Sequence, residues 1–102
     1  MEPKNDDLSN DSLRLLVESM AASFHGTDRA VKIGDMLITE TVRYRDKLKE
    51  DTGEILTVAD TRDALDALDL FLSGRGLPST LTTSQTALVR IWIDRLTLFG
   101  GR

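Results

Sequence analysis

From residue 11 onward, apolar side chains return every three or four positions, the spacing that lays one continuous stripe along an α-helix. After the candidate caps Asn10 and Asp11, the residues Leu13, Leu16, Val17, Met20 and Phe24 make the first such stripe, and Gly26 stands where a left-handed terminator belongs. This predicts a helix over about residues 11–25. A second helix, capped by Thr27 or Asp28, runs to about Glu50 and carries two stripes side by side. One is Ala30, Ile33, Leu37, Tyr44 and Leu48; the other is Val31, Ile38 and Val42. Gly34 inside it points to a bend or a close helix crossing. Its remaining face is polar, with Asp28, Lys32, Asp35, Thr39, Arg43, Asp46 and Glu50.

Asp51-Thr52-Gly53 reads as a stop, and residues 54–58 (EILTV) favour an extended backbone. A third helix follows over about residues 59–72, capped by Thr57 with Asp60 or by Asp60 with Asp63, and ended by Gly74. Two glycines and Pro78 make residues 74–81 a loop, part of which can pair with residues 55–58 as a minor two-stranded element flanking helix three. The last helix, capped among Thr82, Thr83 and Ser84, reaches about Leu98. Its apolar residues Leu88, Val89, Ile91, Trp92, Ile93 and Leu96 leave only Gln85, Thr86, Arg90, Asp94 and Thr97 as a polar strip. A helix this apolar must be central or lie at an interface. The fold expected is therefore all-α, a small four-helix bundle-like domain over residues 10–102, preceded by a disordered polar leader at residues 1–9.

Composition narrows the partners more than the fold. Seventeen acidic residues against thirteen basic ones give a formal charge of −4, which disfavours a broad nucleic-acid footprint. Without cysteine there is neither a disulfide framework nor a thiolate metal site. No cationic-then-apolar start or apolar run of eighteen residues is found, so neither a signal peptide nor a membrane span is expected, and a cytoplasmic setting is the default.

Candidate chemistry is sparse. His25, the one histidine, falls in the last turn of helix one, where the negative end of the helix dipole favours a C-terminal capping role over a ligand or catalytic one. Asp60, Asp63, Asp66 and Asp69 recur every third residue, but each step turns the helix by about 300° and spreads the carboxylates over half its circumference. They read as a solvated acidic face or, less favoured, as an acidic docking surface for a basic partner. Neither a metal nor a cofactor is expected. No nucleophile elbow, phosphate-binding loop, dinucleotide fingerprint or paired-histidine zinc motif is present, and Ser23 and His25 point to different helix faces, so an enzyme is not expected.

Two features suggest binding. Arg43, Tyr44, Arg45, Lys47 and Lys49 gather positive charge around an aromatic ring at the end of helix two, where they complement the helix dipole and could also meet a phosphate or an acidic partner. If helix two overhangs the bundle, this end is presented to a partner. The second feature is surplus apolar helix surface: Val31, Ile38 and Val42 with Val89, Trp92, Ile93 and Leu96 form the expected interface. The function expected is a non-enzymatic helical protein–protein interaction or regulatory module, binding another protein, itself as a homodimer, or both. The alternative is a small nucleic-acid-binding regulator using the basic end of helix two or a helix-turn-helix variant of the last two helices, against which the linker at residues 74–82 is long.

Overall fold

Local capping chemistry sets where each helix begins. A computed structural model of the chain describes residues 7–21 and 27–100, with side chains described at 7–20 and 31–98. Helix α1 (Asn10–Ala21) starts one residue after Ser9, whose hydroxyl accepts the Ser12 amide at 3.1 Å. The N-cap is therefore Ser9 and not Asn10 or Asp11. Helix α3 (Val58–Leu72) carries the Thr57–Asp60 capping box: Asp60 N–H donates to the Thr57 hydroxyl at 3.0 Å and Thr57 N–H to the Asp60 carboxylate at 3.3 Å. Helix α4 (Thr83–Gly100) repeats the device with Thr82 and Gln85, at 3.1 and 2.9 Å. The glycine stops predicted after the second and third helices also hold. After α2 (Thr27–Thr52), Gly53 takes φ 79°, and after α3 Gly74 takes φ 85°. At the second, Gly74 N–H reaches Phe71 O at 3.0 Å and Arg75 N–H reaches Leu70 O at 2.9 Å, the paired bonds of a Schellman end.

These four helices form the all-α bundle expected, with no strand among the described residues. Around it the order is α1, α2, α4, α3, each helix packing against two neighbours. Hydrogen bonds fix the directions. Arg45 in α2 reaches Leu8 O and the Asn10 side chain, while Tyr44 donates to Ser84 O at 3.0 Å. Gln85 donates to Asp60 O at 3.3 Å. The N-termini of α1, α3 and α4 thus meet the C-terminal part of α2 at one end of the molecule. Three helices run one way and α2 runs against them, so the chain must return along the bundle between α3 and α4. The residues 73–82 do this, with Leu77 and Leu81 half-buried against the core. Ten residues of extended chain span up to roughly 33 Å, ample for an α3 roughly 22 Å long.

This topology corrects three expectations. The extended stretch before α3 does pair, but with the start of the chain: Asp7 and Thr57 form an isolated antiparallel bridge and Leu8 N–H donates to Leu56 O at 3.1 Å. Residues 55–58 lie beside the beginning of α1, whereas Gly74 sits at the opposite end of α3. Leu8 and Ser9 accordingly belong to the fold and not to a leader, since Leu8 is buried at 4% exposure and Ser9 is a cap. Finally, α3 and α4 start at the same end, which is not the short-turn arrangement of a helix-turn-helix pair. Gly34 is buried within an unbroken α2.

The core draws on every element. Leu13 and Val17 of α1, Ile33 and Leu37 of α2, Ala64 and Leu68 of α3, and Leu88, Val89 and Trp92 of α4 are buried, joined by Leu8 and Leu56 from the two connecting segments. Among the described residues three polar side chains are buried with them, and each is satisfied. Thr61 donates to Thr57 O at 3.0 Å, Gln85 closes its capping box instead of joining the polar strip of α4, and Thr41 donates to Leu37 O at 2.6 Å while accepting from Trp92 Nε1 at 3.0 Å. No described helix is long and apolar enough to cross a membrane.

Candidate interaction surfaces

The basic end of α2 is a junction and not an overhang. Arg43 and Lys47 are four residues apart and share one face, whereas Arg45 and Lys49 share another about 200° away. The structure keeps them apart in use as well. Arg43, itself exposed, lies 3.9 Å from the largely buried Glu40, and Lys47 lies 3.1 Å from Asp51 as an exposed pair along the helix. Arg45 turns inward, 2.8 Å from Asn10 Oδ1 and 3.2 Å from Leu8 O, with its Nε 3.0 Å from Asp46. Tyr44, half-buried, ties α2 to the first turn of α4 through its hydroxyl. Lys49 borders a small cavity with Leu8, Leu56 and Glu54. Five residues close in sequence are therefore divided between different faces of α2.

Replacing Arg45 by alanine should cost about 1 kcal/mol in urea unfolding, because a charged donor is lost from a backbone carbonyl and an amide oxygen at the start of α1. Arg43→Ala and Lys47→Ala should each stay within about 0.5 kcal/mol, because both cations are exposed, Lys47 pairs at the surface, and Glu40 keeps its closer pair with Arg95. Equal losses for all three would contradict the inward role of Arg45.

The surplus apolar surface of α2 and α4 is largely consumed within the protomer. Val89 and Trp92 are fully enclosed, and Ile38, Val42, Ile93 and Leu96 are half-buried against the core. Of the seven residues expected at an interface, Val31 alone is broadly exposed, at 57%. The reason is geometric. Ile38, Val42 and Arg45 follow one another along a single edge of α2 (i, i+4, i+7), and Arg45 shows that this edge faces the start of α1. A helix with a neighbour on each of two sides needs two apolar stripes without any third partner. Glu40 closes the other edge, its carboxylate 3.0 Å from Arg95 Nε of α4.

Apolar surface is instead left open between α1 and α3. A groove of about 380 Å³ lies there, lined by Leu16, Ser19 and Met20 from α1 and by Arg62, Leu65, Asp66 and Asp69 from α3. Leu16, Met20 and Leu65 make its apolar part, and Leu15, 69% exposed, adjoins it on α1. Its α3 wall follows the i, i+4, i+7 spacing of Arg62, Asp66 and Asp69. Among the described residues no ion pair engages these three side chains. The aspartate series is therefore divided by the fold: Asp60 caps α3, Asp63 faces solvent, and Asp66 and Asp69 flank the groove.

Sequence reasoning missed this surface although one signal was present. Leu15 falls outside the stripe of Leu13, Leu16, Val17 and Met20, and an aliphatic residue off the core face of a short helix marks apolar surface the core does not use. The part expected of His25, with Ser23, Phe24 and Gly26, lies outside the described residues, as does the end of the chain at residues 101–102. Compared with family models, curated proteins and solved structures, the chain matches none, so the functional reading rests on these surfaces.

Proposed function

We propose that this chain is a non-enzymatic helical protein–protein interaction module of a regulatory or bridging kind, and that it associates with itself. The observation that carries the reading is the α1–α3 groove, where the half-buried Leu16 lies beside an exposed Leu15. Scattered exposed aliphatics are ordinary on a small domain; an apolar groove with an aliphatic rim and a charged wall has the anatomy of a docking face. The surface favoured has thus moved from α2 and α4 to α1 and α3. Nucleic-acid binding draws less support, because the basic residues of α2 are divided between two faces and partly engaged within the protomer.

Light scattering coupled to size exclusion tests the proposal over a series from roughly 1 to 100 μM, the range in which modest apolar interfaces assemble. A mass rising from that of one 11.3 kDa chain toward twice that value is the expected result. A constant single-chain mass throughout would refute self-association.

A further inference from the structure

Resting on that reading, we infer that two copies of this chain meet about a two-fold axis through the α1–α3 grooves, with Leu15 of each copy entering the groove of the other and Arg62 of each opposing Asp69 of the other. The charges on the α3 wall point to a second copy as the occupant. A purely acidic wall would select a basic partner, and a neutral one would select nothing. This wall carries Arg62 at one end and Asp69 at the other, with Asp66 between. Seven residues place the two ends roughly 10 Å apart along α3. A two-fold axis crossing the helix near Leu65 and Asp66 reverses its direction in the second copy and lays each arginine against the opposite aspartate. Two copies of one surface then satisfy each other, as a closed dimer interface requires.

The apolar residues obey the same symmetry. Leu15 stands on the α1 rim toward the Arg62 end, and the axis carries the second copy's Leu15 to the end bordered by Asp69. Leu65, only 5% exposed, lies near the axis on the groove floor. Arg62 and Asp69, which have no ion-pair partner within the described protomer, each gain one across the interface, and Asp66, near the axis, lies within one helical turn of the other copy's Arg62. Because α1 and α3 run in the same direction, the face has a definite polarity, and only the antiparallel apposition matches unlike charges.

A charge exchange in the full-length chain tests this directly. Sedimentation equilibrium should show the dimer weakened at least roughly tenfold by Leu15→Glu, which places a charge on apolar surface, and by Arg62→Asp or Asp69→Arg, which set like charges face to face. The double variant with both Arg62→Asp and Asp69→Arg should recover the affinity of the unaltered chain to within roughly threefold. At roughly 10 Å apart on one helix the two residues interact weakly in salt, so recovery reports contact between copies. All three positions are at the surface, and circular dichroism with Trp92 fluorescence verifies that each variant folds. A dimer that forms but ignores all of these substitutions, or single variants weakened without recovery in the double, would overturn this arrangement while leaving self-association intact. A chain that never dimerises would overturn both.

Discussion

Trp92→Ala should lower the free energy of unfolding by about 3–5 kcal/mol, the usual cost of deleting a fully buried aromatic side chain. Domains of this size are stable by about 5–15 kcal/mol in all, so the variant is expected to stand near the threshold of folding. Trp92 has no exposed surface, and it joins α4 to α2 through the bond from its Nε1 to Thr41. The polar half of that contact can be isolated. Thr41→Val keeps the volume but removes the acceptor, leaving a buried indole N–H unpaired, and should cost about 1–3 kcal/mol. In a double-mutant cycle, Trp92→Phe and Thr41→Val should be strongly non-additive, because either change alone breaks the same bond. Additivity within about 0.3 kcal/mol would show that the bond contributes nothing. Trp92 is the only tryptophan, so its fluorescence follows unfolding without interference, shifting to longer wavelength as the ring enters water.

Leu8→Ala should cost about 2–5 kcal/mol, although the residue belongs to a stretch that composition alone marks as a tail. Its side chain is 4% exposed, its amide donates to Leu56 O, and its carbonyl accepts from Arg45. The contrast with Leu15→Ala, at 69% exposure, is the useful control, since an exposed aliphatic on the same segment should change stability by less than about 0.5 kcal/mol. Urea denaturation of both variants, measured below the concentration at which the chain associates, separates the two cases. A change under about 0.5 kcal/mol for Leu8→Ala would mean that the start of the chain is dispensable to the core.

These two residues illustrate what could and could not be read beforehand. Trp92 lay within a periodic, strongly apolar helix, and its burial in the core or at an interface followed from pattern; only its neighbour across the bundle, Thr41, decided for the core. Thr41 is a polar residue among apolar stripes, and a hydroxyl that bonds back to Leu37 and accepts from an indole leaves no mark on local spacing. Leu8 is a single aliphatic among polar residues, with no periodicity to report it. Likewise the basic run in α2 is contiguous along the chain yet divides between two faces once wound into a helix, so adjacency in sequence suggested one surface where the fold has several.

The number of helices, their limits to within a few residues, the glycine stops and the Thr57–Asp60 cap follow from the chain itself. They depend on interactions no more than five residues apart, and such interactions are written in local spacing. The tertiary structure alone decided the direction of α4, the return path of residues 73–82, the pairing of Leu8 with Leu56, and which apolar stripes face a neighbour. Each of these depends on contacts between residues far apart in the chain, where the same stripe serves equally to line a core or to dock a partner. For that reason the open surface was expected on α2 and α4 and lies between α1 and α3: periodicity counts apolar faces, and only the packing shows which of them remain uncovered.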